Sequence, residues 1–151
     1  MKLAEALAAR SDCQKRIEEI KNRLASSARI QEGEEPAEDS SELLAETDRI
    51  YVRLLELISA INRTNSRTAF DNERTITDVI AERDVIGKRR DFLVGVAGSG
   101  SSRWDRYSRS EVRYVMTVPV GKLRTDADQL AKRYRELDLR IQELNWKTEL
   151  I

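Results

Sequence analysis

Residues 119–148 constrain this chain more than any other stretch. Leu123, Ala127, Leu130, Tyr134, Leu137, Ile141, Leu144 and Thr148 follow one another at steps of 4, 3, 4, 3, 4, 3 and 4. A helix brings a side chain back to the same face every three or four residues, whereas a strand does so every two. The stepping therefore predicts one helix of more than twenty residues, opened by Pro119, which suits a first turn. Glu136 and Arg140 stand at a favourable i,i+4 spacing on it.

Three more segments read the same way. Over 2–28, Leu3, Arg10, Ile17 and Leu24 form one row of a heptad seam, and Ala6, Cys13, Ile20 and Ser27 the other. Asp12→Arg16 and Glu19→Arg23 are i,i+4 pairs of favourable polarity. Over 41–63, Leu43, Thr47, Ile50, Leu54, Leu57 and Ile61 make a stripe that Leu44, Tyr51, Leu55 and Ile58 widen. So wide a face suits a helix touching two neighbours. Asp39 with Glu42 fits a capping box at its start. Over 76–97 the stripe is Ile76, Val79, Ile80, Ile86, Leu93 and Val94, preceded by a Thr75/Asp78 variant of the box and supported by Asp84→Lys88.

Four helices of this length, each roughly 30–40 Å at 1.5 Å per residue, predict an all-α fold. The expected form is an elongated antiparallel bundle of four long helices in a single domain, 1–151. A slender bundle leaves much lateral surface, so a homo-oligomer is expected, built on the seams of the first and fourth helices. The segments 64–70 and 112–118 are polar or β-branched and are read as a short β or extended element. If they pair, the fourth helix can run in the other direction.

Composition removes whole classes of chemistry. The chain has no His and a single Cys. That excludes a Ser-His-Asp triad, a His proton shuttle, a His-bearing zinc site, an internal disulfide and a CxxC knuckle. Lys+Arg and Asp+Glu are 27 each, so nothing favours broad coating of a polyanion or an anionic membrane. No segment approaches the ~18 continuous apolar residues of a membrane span, and the N-terminus lacks the apolar core of a signal peptide. A cytoplasmic protein with no membrane partner is expected.

Several segments, taken in order, carry a family pattern: the opening MKLAEAL, ARIQEGEEPAED (28–39), INRTN (61–65), RTITDVIAERD (74–84), DRYSRSEVRYV (105–115) and LNWKTEL (144–150). Together they resemble the septicolysin-like family of small bacterial proteins, over essentially the whole chain. The resemblance implies a cytosolic helical protein and supplies no catalytic residue. Pore formation has no support, since the sequence holds no amphipathic β-hairpin and no export signal.

The candidate interaction residues fall in two loops. Glu32, Glu34 and Glu35 lead a run of six acids without a base, from Glu32 to Glu42. Such oxygens suit a hard cation, a solvated loop or an arginine partner. Arg103, Trp104, Arg106, Tyr107, Arg109 and Arg113, with Tyr114, interleave cations for phosphate with rings for stacking. In an up-down bundle the 29–41 and 98–118 loops share an end, and pairing between them is favoured over nucleic acid. A polar cluster of Asn62, Arg63, Asn65, Asn145 and Trp146 is placed at the opposite end. It suits helix capping, or a small polar ligand if a pocket forms there. Two motif readings are set aside. Gly95–Ser101 lacks the lysine of a phosphate loop, and Asp71–Glu82 carries Ile76 where a calcium loop needs Gly.

The reading is a non-enzymatic helical protein that self-associates through helix faces as a structural or interaction module, with no cofactor. A protein partner is the companion arrangement. The alternatives are a nucleic-acid-associated module using segment 103–114, and a carboxylate-based, metal-dependent enzyme.

Overall fold

The computed structural model describes residues 1–36, 38–100 and 115–151, with only the backbone of Gly100. Four helices carry these residues: α1 (Leu3–Ser27), α2 (Ser40–Arg67), α3 (Ile76–Gly100) and α4 (Val120–Lys147). The all-α bundle architecture is as expected, with α1 packed on α2 and α3 on α4.

The starts of α1, α2 and α3 each have a local cause. The Glu5 carboxylate accepts from the Lys2 backbone N–H at 2.6 Å and ties off α1. Asp39 caps α2 by accepting from the N–H groups of Ser41 (2.8 Å) and Glu42 (3.4 Å). At α3 the box is reciprocal. Asp78 accepts from the Thr75 N–H at 2.8 Å, and Thr75 Oγ1 accepts from the Asp78 N–H at 3.3 Å. These bonds satisfy donors that a helix cannot pair internally.

The described residues divide into two compact units: Met1–Ala69 with Glu143–Ile151, and Phe70–Gln142. In the first, α1 and α2 run antiparallel, as the ion pairs Arg16–Glu46 (2.8 Å) and Arg23–Glu38 require. Its interior holds Leu3, Ala6, Ile20, Leu43, Leu57 and Ile61, together with the polar Thr64 and Asn145. The chain ends meet there. An isolated antiparallel bridge joins Lys2 to Glu149, and Leu3 N–H donates to the Thr148 carbonyl at 2.9 Å. Lys2 Nζ reaches the Glu149 carboxylate at 2.5 Å, and Ile151 N–H donates to Thr64 Oγ1 at 3.0 Å.

In the second unit α3 and α4 are also antiparallel, since Arg140 late in α4 lies over Phe70 just before α3 while Gly87 and Arg90 further along α3 meet Tyr134. Arg83–Asp138 (2.7 Å) and Glu82–Arg133 (3.3 Å) join the two. Its interior is Phe70, Ile76, Val79, Ala97, Ala127, Leu137 and Ile141. Gly87 permits a close approach here, since a Cβ at that position would lie 3.2 Å from the Tyr134 ring.

The expected β element is corrected. Among the described residues there is no strand. Residues 64–67 form the last turn of α2, 115–118 are non-helical without a strand partner, and 112–114 lie outside the described residues. The cause is local and tertiary. Thr64 Oγ1 and Thr68 Oγ1 donate to the carbonyls of Ala60 and Thr64, at 2.9 and 2.8 Å. Burial of Thr64 and its bond from Ile151 hold that turn in place, so tertiary contact overrides propensity.

Candidate functional site

Of the two predicted interaction loops, only the acidic residues lie among the described residues. Arg103, Trp104, Arg106, Tyr107, Arg109, Arg113 and Tyr114 lie outside the described residues, and so does any pairing of theirs with the acidic loop. Glu32, Glu34 and Glu35 are exposed around a turn at Gly33, whose φ of 93° suits glycine. None of the three pairs with a described base. Glu34 accepts instead from the Gln31 N–H at 3.4 Å. Within the acidic run it is Glu38 that finds an arginine, Arg23, whose hydrogen bonds hold its carboxyl below the usual range.

The polar cluster of the first unit is split by burial. Asn145 is buried and Asn65 half-buried, while Asn62, Arg63 and Trp146 are exposed. Asn65 Oδ1 is buried without a hydrogen-bond partner. Neither of the two described recesses is lined by any of these residues.

One recess, about 340 Å³, lies in the first unit between Arg23, Glu38, Asp39, Glu42, Leu43, Glu46 and Arg49. Its charges are already matched in part, by Arg23–Glu38 and Arg16–Glu46. The other, about 240 Å³, lies in the second unit. Its floor is the buried Phe70 ring, with the guanidinium carbons of Arg140 and Arg74 at 4.7 and 5.5 Å from the ring centre. Arg74 also binds Asp71 at 2.6 Å and Glu82. Among the described residues no three His, Cys, Asp or Glu side chains gather as metal ligands. The glycine-rich stretch runs as helix through Gly100, and Thr75 is spent on capping α3.

The seams expected to hold a second subunit are covered in part within the chain, with Cys13, Ile17 and Leu24 of α1 and Leu123, Leu130 and Leu144 of α4 half-buried. Leu3, Ala6 and Ile20 of α1, and Ala127, Leu137 and Ile141 of α4, are buried. Among the described residues, large apolar side chains are exposed on α3 (Val85, Phe92, Val94), on α4 (Leu139) and, in the greatest number, on α2. Leu44, Tyr51, Val52 and Leu55 are 54%, 54%, 61% and 66% exposed. At 3.6 residues per turn these four share an arc of about 100°. Leu44, Tyr51 and Leu55 belong to the widened stripe that the sequence assigns to a second neighbour, Val52 is not part of it, and Ile58 of the same row is half-buried. A periodicity marks a face as apolar but does not say which part its own chain will cover.

A crystal structure of a functionally unknown conserved protein from Corynebacterium diphtheriae is similar at 45% identity, covering 100% of this chain and 99% of that one, with a TM-score of 0.94. No curated protein matches. No helix of the described residues is long and apolar enough to cross a membrane. The model of DUF6847, described as a family of unknown function, matches residues 10–150, and the chain belongs to that family.

Proposed function

We propose that this protein is a non-enzymatic helical interaction module of the cytoplasm, kin to the septicolysin-like proteins, that self-associates through the exposed face of α2. The observation that carries the reading is the row Leu44, Tyr51, Val52 and Leu55, large apolar side chains more than half exposed on one helix. Scattered apolar residues are ordinary on a surface, but a contiguous strip marks an interaction site. The recesses are read as structural: Arg23 pairs with Glu38 in the first, and Arg74 and Arg133 of the second are held by Asp71 and Glu82 beside it.

The test is the molar mass in solution over a range from about micromolar to millimolar. Wild type is expected to rise from monomer to dimer with concentration. Leu55→Glu or Tyr51→Glu is expected to hold it as a monomer without lowering its helicity, because both positions are exposed. A wild type that stays monomeric throughout, or variants that assemble as it does, overturns the reading.

A further inference from the structure

Beside the apolar strip of α2 runs a second row. Glu42, Arg49, Glu56 and Arg63 stand at seven-residue intervals, and all four are exposed. Two turns of helix separate successive members, and the row drifts by only about 20° per step, so it keeps to one flank, the Val52 side. Its signs alternate: acid, base, acid, base. Glu42, Arg49 and Arg63 make no ion pair among the described residues. Glu56 makes one, to Arg53 on its own helix at 3.1 Å.

An alternating row of this kind has a definite self-complement. Turned end for end about a two-fold axis passing between residues 52 and 53, Glu42 falls opposite Arg63 of a second copy, and Arg49 opposite Glu56. Each pairing occurs twice across the axis. Tyr51, Val52 and Leu55 then lie next to the axis, where the two apolar strips meet. A parallel arrangement sets the row against the opposite flank of the strip, where Thr47 and Leu54 stand, and makes no ion pair. A two-fold contact uses the same patch on both partners, which one helix face with an internally complementary row supplies.

We infer that the occupant of the α2 face is the α2 helix of a second copy of this chain, antiparallel and in the register set by Glu42–Arg63 and Arg49–Glu56 contacts. This rests on the self-association proposed above and adds its orientation. Exposed ion pairs contribute little affinity, so the apolar strip holds the pair together and the charges select its direction and register.

The experiment is a charge swap read by analytical ultracentrifugation. Arg49→Glu alone faces Glu56 of the partner with a like charge at two places, and Glu56→Arg alone faces Arg49 in the same way. Each is expected to weaken dimerisation at least about tenfold. Mixed in equal amounts, the two single variants place opposite charges at every one of these contacts, and a dimer of one of each is expected. The double variant Arg49→Glu/Glu56→Arg restores the pairing within one chain and is expected to dimerise as wild type does. It also serves as the control if either single variant has lost helicity. Suppose Leu55→Glu abolishes the dimer while the mixture and the double variant show no recovery. The register is then overturned and the self-association stands. A chain that is monomeric at every concentration overturns both. Single variants that dimerise like wild type overturn the register as well.

Discussion

Arg74 shows how much of the surface charge is spent on structure. Its Nε and Nη2 bind the Asp71 carboxylate at 2.9 and 2.6 Å, and Nη1 binds Glu82. Asp71 also accepts from the backbone N–H groups of Glu73 and Arg74. The guanidinium, and then these amides, hold the Asp71 carboxyl down at about 2. A depressed carboxyl contributes stability that is fully present above the unfolded value near 4. That contribution falls away as the pH drops towards 2. The Asp71 side-chain carbon, followed by NMR, is expected to titrate near 2 in wild type and higher in Arg74→Gln, yet still below its ordinary value because the backbone amides remain. A wild-type midpoint near 4 contradicts the geometry. The same economy explains where sequence pairs failed. Asp12–Arg16, Glu19–Arg23, Asp84–Lys88 and Glu136–Arg140 have suitable spacing, yet none forms among the described residues. Arg16 and Arg23 turn to Glu46 and Glu38 on or beside the neighbouring helix, and Arg83 to Asp84 and Asp138. Arg83 stays firmly protonated despite the cost of its partial burial, because those two carboxylates accept its hydrogen bonds. Arg16 uses its planar fork to hold a carboxylate of a partner helix together with Glu19 of its own helix, at 3.1 Å. That partner is invisible without the fold.

At the scale of elements, glycine separates packing from propensity. Gly87 and Gly95 both lie within α3, where glycine costs about 0.5–1 kcal/mol against alanine. Nothing lies within 4 Å of a Cβ at Gly95, so Gly95→Ala is expected to raise stability by about that amount. At Gly87 the Tyr134 ring stands in the way. Gly87→Val is therefore expected to destabilise by about 1–3 kcal/mol through overpacking. Urea denaturation of both variants checks the contrast, and equal effects contradict it. Helix existence was largely legible here, because stepping and capping are local. Asp39 and the Thr75/Asp78 box act within a few residues of where they stand, and the stepping of α4 needs no partner to be read. The end of α2 was not legible, since Thr64 is held in its turn by Ile151, far along the chain. The α2 face was half legible. Leu44, Tyr51 and Leu55 could be seen to widen the apolar stripe, but whether a neighbour within the chain covers them is a property of the assembled units. The row of Glu42, Arg49, Glu56 and Arg63 was present in the sequence and carried no weight until its exposure was known.

At the scale of the molecule, the organising fact is the junction of the two chain ends inside the first unit. The Glu149 carboxyl is held below its usual range by Lys2 and then by the terminal ammonium, which lies 3.3 Å away. Around it, Leu3 N–H donates to Thr148 and Leu150 N–H to Met1, both at 2.9 Å. Glu149→Gln removes the charge but leaves the backbone bonds. It is expected to speed hydrogen exchange at Leu3 and Leu150 several-fold while amides in the middle of α3 are unchanged. Unchanged exchange at those two amides shows that the backbone bonds alone secure the ends.

The junction also sets an order of events during synthesis. Residues 70–142 form a contiguous unit, so the contacts within it need no residue made after 142. The opening helices cannot reach their final state then. Leu3 waits for Thr148 and Thr64 for Ile151, across loops whose closure costs entropy before any contact rewards it. During that interval α1 and α2 are made but incomplete, with Leu3 and Thr64 lacking their last partners. The part of the protein born first is the part finished last.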